Sequence, residues 1–354
     1  MIFTKLNKHV IIALVVFICS CGDNFESKEE KNYSMIFSSR SSFSYDLWHY
    51  DESLKLSYPL TKNRWNEDSP KFYSDSSKIL YVSDALGKKK IFSSDLTYHR
   101  HIKRFELSNK ALLTNDFEYN VNPKISSSGS YVSFISSDTG NYEVFIFFNS
   151  TRKIINLSQS KYKDYNQQFT PDGLSVIFQS LRGKNNNEII LKSIDGSLAV
   201  NLSAHEGDDI LAAHQSIANN GRFFVFSSNR DGDYDIYKMN LDGTNLIKLT
   251  HNNFDDFHPI IDPFGETICF VSDNGKNKDI YMMYSTGSSL KNISNSPAND
   301  SSPIYSNDGK YISFLSDRDE NLEIYVFSIS DKELINISNN IRGDFNQQFI
   351  PVNN

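Results

Sequence analysis

Acidic, amide and imidazole side chains return through this chain at a spacing close to 44 residues. Aligned on a recurrent turn glycine, Glu67, Asn120, Asp164, Asp209, Asp256, Asp300 and Asp344 fall in one register. Two residues further on, Ser69, Asn122, Asn166, His214, His258, Ser302 and Asn346 fall in a second, with extra residues between Asp209 and His214. Closed into a ring, such groups can hold a cation, a sugar or the end of a peptide. The same aspartates can instead accept backbone N–H bonds and fix their own loops, as repeated polar residues commonly do. Two imidazoles are too few for a metal centre and no third ligand is specified, so no metal is assigned.

Recognisable catalytic constellations do not appear. There is no His-Glu-x-x-His pair, no Gly-x-Ser-x-Gly elbow, no phosphate-binding glycine loop and no Cys-x-x-Cys. We therefore expect a binding protein rather than an enzyme, with no catalytic residue and no cofactor. The net charge is -7 and no stretch concentrates lysine and arginine, so a nucleic-acid partner is not expected. Cys269 stands alone in the apolar run Ile268-Cys269-Phe270-Val271 and reads as a small buried hydrophobe.

The elements that must position these groups are repeats. An aromatic flanked by aliphatics, then serine and often arginine, recurs at Phe37, Tyr81, Phe134, Phe178, Phe226, Phe270 and Phe314. The intervals are 44, 53, 44, 48, 44 and 44 residues, the long one reflecting an insertion around Leu86 to Arg104. Within each unit a turn such as Pro171-Asp172-Gly173 precedes the aromatic strand, and a polar loop follows it. Asp235-Ile236-Tyr237 or its equivalent comes next, and the unit closes on Leu-Ser or Leu-Thr. Asp-Gly between apolar runs marks tight hairpin turns, which need positive φ. Each unit thus reads as four short strands, the content of one propeller blade. Arg40, Arg182, Arg230 and Arg318 are expected to pair with Asp46, Glu188, Asp235 and Glu323 inside their own blades.

The first unit opens at Ser34 without the strand that precedes the turn elsewhere. A spare copy stands at the end, where Asp344-Phe345-Asn346-Gln347-Gln348-Phe349 matches Asp164-Tyr165-Asn166-Gln167-Gln168-Phe169. We therefore predict an all-β, seven-bladed propeller over 34–354, closed by the C-terminal strand completing the first blade.

The unit Pro-Asp-Gly, Phe-x-Ser-x-Arg, Asp-Gly-x-x-Asp-Ile-Tyr resembles the WD40-like repeat of the TolB propeller. Ser227-Ser228-Asn229-Arg230-Asp231-Gly232-Asp233-Tyr234-Asp235-Ile236-Tyr237 carries it best, and the resemblance covers 34–351. It implies the propeller fold; the lone propeller without a recognisable nucleophile or metal cage is expected to act as a scaffold for a protein or peptide. TolB carries a further domain ahead of its propeller, so its role does not transfer whole. Some TolB-like propellers resemble oligogalacturonate lyases, which implies the alternative: a glycan-binding or polysaccharide-degrading propeller using the channel mouth.

Lys5 and Lys8 precede an apolar run, Val10 to Ile18, too short to span a bilayer. The run closes on Ile18-Cys19-Ser20-Cys21, which resembles the lipobox of bacterial lipoproteins. The resemblance implies removal of 1–20, lipid on Cys21 and anchorage in the cell envelope, with 22–33 as a tether. Gly22 rather than Asp follows the cysteine, which favours the outer membrane over the inner.

Overall fold

The computed structural model describes residues 33–351, apart from 42, 116, 183–185 and 213. The leader, Cys21 and the tether lie outside the described residues. Those described form seven sheets of four antiparallel strands, the predicted propeller. Blade one is the composite one. Its innermost strand is Asp344–Phe349, followed outward by Ser34–Arg40, Tyr45–Asp51 and Leu56–Pro59. The innermost strands of blades two to seven are Glu67–Phe72, Asn120–Ile125, Lys163–Phe169, Asp209–Ile210, Asp255–Ile261 and Asp300–Tyr305.

The repeat motifs now have physical jobs. The aromatic of the second strand faces an aromatic of the third, as in Phe226↔Tyr237, Phe270↔Tyr281 and Phe314↔Tyr325, with ring centroids 5.8–6.0 Å apart. Such stacked cross-strand pairs knit a blade and present flat surface to the next. The closing hydroxyl of each unit accepts the N–H of a residue early in the third strand. Thr250 serves Ile236 at 2.9 Å, Ser294 serves Ile280 at 2.9 Å and Ser338 serves Ile324 at 2.8 Å. It thereby pins the end of the short outer strand to the start of the third. The insertion after Leu86 lengthens blade two's outer hairpin, Lys90–His99 and Arg104–Leu112. This hairpin leans on blade one, where Phe105 N–H donates to Tyr58 Oη at 2.6 Å. Cys269 is fully buried, and burial pushes its thiol up to about 12.

Six of the inner strands bulge at one place. Ser69, Asn122, Asn166, His258, Ser302 and Asn346 have φ between 50° and 56°, the left-handed region. Five of those strands slip register across the bulge where they meet their own second strands; in blade one the slip shows in the pairing of Asp344–Phe349 with Ser34–Arg40. A bulge re-aims the side chains around it. Here it sits midway along the channel wall and sets what lines the axis.

Candidate functional site

The inner strands begin on acids. Asp164, Asp209, Asp256, Asp300 and Asp344 are brought into one ring, but each is fully buried, as are Glu67 and Asn120. Each faces a serine of the second strand: Ser180, Ser228, Ser272, Ser316 and Ser39 respectively. Burial pushes all five carboxyls up, Asp256 and Asp344 to about 6. One oxygen of Asp256 meets Asn252 at 2.9 Å and one of Asp344 meets Asn340 at 2.7 Å, while the other oxygen of each, and both of Asp164, are buried without a hydrogen-bond partner among the described residues.

Two of the four arginines go to these acids rather than to the expected partners. Arg230 Nη2 donates to Asp209 at 2.8 Å and Arg318 Nη2 to Asp300 at 3.2 Å. Each guanidinium also lies over its blade's aromatic pair, 4.9 Å from Tyr237 and 4.4 Å from Tyr325. Asp235 pairs with Lys248 at 2.5 Å, and Glu323 accepts from Asn321 at 2.6 Å and from Ser338. Arg182 donates to Ser180 and sits over Tyr162, while Glu188 accepts from Asn201. Among the described residues Arg40 likewise forms no ion pair with Asp46, which accepts from the Asn63 N–H.

The second register divides. Asn166, His214, His258, Ser302 and Asn346 line one chamber of about 250 Å³ in the channel. Asn122 instead lines a pocket of about 440 Å³ between blades three and four, with Tyr119, Tyr142 and Tyr165. It also donates to Gln167 across the blade boundary at 3.3 Å. A larger chamber of about 540 Å³ occupies the far half of the channel, where the inner strands end.

Blade five separates the two chambers. Nine residues run from Asp209 to the turn residue Ala218, where six run from Asp256 to Asp262. The extra length crosses the channel. His214 Nδ1 lies 2.6 Å from Lys124 Nζ of blade three. Gln215, which takes the left-handed conformation in this blade, donates to Tyr305 O at 3.0 Å and accepts from Tyr305 N at 2.9 Å, on blade seven. His214 lines both chambers. The alignment that set His214 beside His258 therefore missed its geometry: it is part of a crossbar.

Sequence reasoning also passed over Lys71 and Lys124. They hold equivalent places two residues beyond the bulge in blades two and three, line the larger chamber and are buried. Extending the same alignment by two residues finds them. Burial lowers Lys71 to about 7 and holds Lys124 well below the lysine range. His214 is lowered too, by burial and then by the two lysines. Among the described residues no three His, Cys, Asp or Glu side chains come together to hold a metal ion.

The mouth where the inner strands begin has an apolar rim. Trp65, Tyr119 and Phe254 precede inner strands, and Phe43 and Tyr142 stand on the loops joining second and third strands at that end. All five are exposed. Large exposed aromatics gathered around one opening are a feature of recognition surfaces.

No protein-family model matches this chain, and no curated protein does. Solved structures do share its fold. TolB from Acinetobacter baumannii aligns with a TM-score of 0.55 at 16% identity, covering 90% of this chain and 67% of its own. A putative TolB from Agrobacterium tumefaciens gives 0.52 at 16%, covering 74% and 89%. An oligogalacturonate lyase in complex with manganese gives 0.61 at 13%, covering 86% and 85%. At these identities the likeness establishes the propeller alone.

Proposed function

We propose that this chain is a cell-envelope lipoprotein, held by lipid on Cys21, whose propeller binds a protein or peptide and performs no catalysis. The observation that carries the reading is the aromatic rim, with the Tyr119–Tyr142 pocket beside it. Tyrosine and tryptophan give large contact area and a polar tip at low entropy cost, which is why they dominate binding hot spots. The buried acids favour this over direct coordination in the ring, because each lies fully buried against the second strand of its own blade. The lipobox ending on Cys21 supports the anchor, and the likeness to TolB propellers is in keeping with an envelope location.

The test is an affinity purification of the lipidated protein from envelopes in mild detergent, beside a Tyr119→Ala/Tyr142→Ala variant. A stoichiometric protein partner should accompany the parent and fall at least tenfold in the variant, about 1.4 kcal/mol or more. Recovery of a glycan in its place would favour the alternative, a glycan-binding propeller. Cleavage of peptide or glycan by the purified protein would end the non-catalytic reading. In a parallel fractionation, Cys21→Ser should move the protein from the membrane pellet to the soluble fraction. If it stays in the pellet, the lipid is not the anchor.

A further inference from the structure

The docking reading uses one mouth of the channel and leaves the larger chamber, at the other end, without a role. That chamber is chemically lopsided. Lys71 and Lys124 enter it from adjacent blades, His214 closes its floor, and among the described residues that line it there is no aspartate or glutamate. Lys71 is 9% exposed and its ammonium donates to no protein acceptor among the described residues, so what surface it keeps faces the cavity. Elsewhere in the ring the equivalent positions hold Gln168, Ile260, Ile304 and Gln348, which carry no charge. A buried ammonium without a counter-charge is unfavourable by several kcal/mol, and an anion in the cavity relieves that penalty.

The walls narrow the choice of anion. Phe72, Phe169, Ile217 and Phe349 line the same space, and a volume of about 540 Å³ far exceeds that of an inorganic ion. We propose that this chamber binds an organic carboxylate, its oxygens between Lys71 and Lys124 and its apolar part against these side chains. The site is separate from the aromatic rim and does not rest on the docking reading.

Proton linkage gives the proposal a signature. The titratable groups facing the two amines among the described residues are each other and His214. All three lose protons more readily than in water, so part of the empty site is neutral near neutral pH. A bound carboxylate favours the protonated amines. Binding therefore takes up protons and tightens as pH falls from about 8 to about 6.

Titration calorimetry on the full-length protein, in buffers of different ionisation enthalpy, tests this with 3-phenylpropionate, its amide, the peptide Gly-Gly-Phe and inorganic phosphate. The expected result is saturable binding of 3-phenylpropionate or Gly-Gly-Phe to one site with net proton uptake. The amide should bind at least tenfold more weakly. Lys71→Met and Lys124→Met should each weaken binding at least tenfold while melting no lower than the parent, since each removes a buried amine. Tighter binding of the peptide assigns the carboxylate to a chain terminus, and tighter binding of 3-phenylpropionate assigns it to a free acid. No saturable binding of either carboxylate up to about 10 mM, a loss of about 5.5 kcal/mol or more from micromolar affinity, would overturn the proposal. So would binding that both lysine variants leave intact, or phosphate binding as tightly as either carboxylate.

Discussion

A chain ending at Gly343 is expected to lose cooperative folding. The strand thereby removed, Asp344–Phe349, is the innermost strand of blade one and joins the end of the described chain to its beginning. It serves two interfaces at once. Phe349 packs with Tyr33, Met35 and Phe37 of blade one and Tyr311 and Leu315 of blade seven. Ile350, one residue on, packs with Ile36 and Leu47 of blade one and Ile79 and Tyr81 of blade two. Burying the Phe and Ile side chains contributes about 1.5–3 kcal/mol each, and the strand's ladder to Ser34–Arg40 adds to that. The total approaches the 5–15 kcal/mol by which whole domains are stable, so little margin remains. Opening the ring also bares the long edge of Ser34–Arg40, a site for aggregation. Near-ultraviolet circular dichroism and a thermal melt read the outcome. A peptide spanning 344–351, added in trans, should restore part of the signal by taking the vacant place in the sheet. A truncated chain that still melts in one sharp step within a few degrees of the parent would show that the closing strand is dispensable.

The closure was legible because the sequence contains the strand twice, once in blade four and once at the end, while the first repeat lacks it. Blade number and strand order followed from the same repeats, since turn glycines punctuate most units and an aliphatic residue followed by Ser or Thr closes each. The channel was less legible, for reasons that particular residues make plain. Ser228 faces Asp209 on one side and Asp235 on the other, so Arg230 had two acids at the same level to choose from. The choice was made by Lys248, which pairs with Asp235 from the fourth strand and leaves Asp209 to the arginine. Spacing within one repeat cannot register that competition. The crossbar was harder still. The extra residues of blade five were visible as an insertion, but their partners Lys124 and Tyr305 each lie 90 residues away. Only the curvature of the ring brings them across the axis. The lysines were hidden for a third reason. Acids and imidazoles stand out as ligands to cations, whereas the cations that line the wall themselves stand two positions beyond that register.

Replacing Arg230 with methionine is expected to destabilise the protein by about 3 kcal/mol at neutral pH, because it strands a buried carboxylate. Asp209 has no exposed surface, and Arg230 is its only ion-pair partner among the described residues. Two other blades display the same acid without an arginine. Asp256 and Asp344 are held there by asparagine and hydroxyl donors, and burial takes both to about 6. Burial also raises Asp209, but the Arg230 charge and hydrogen bond oppose the rise. Without them the carboxyl moves further up, so the folded variant binds a proton that the unfolded chain, with an aspartate near 3.9, does not hold. A group whose folded pKa lies above its unfolded one lends stability at low pH and loses it as pH rises through the window between the two. The Arg230→Met deficit should therefore be near full at about pH 7.5 and shrink as the pH is lowered towards about 5, where Asp209 becomes neutral. Asp209→Asn in the Arg230→Met background should remove the pH dependence of the deficit. Urea unfolding across that range measures it. The competing account assigns the loss to packing, because the guanidinium also covers Phe226 and Tyr237. Methionine keeps most of that cover, and packing does not titrate. A deficit of equal size at both ends of the range would place the arginine's contribution on the rings rather than on the buried acid.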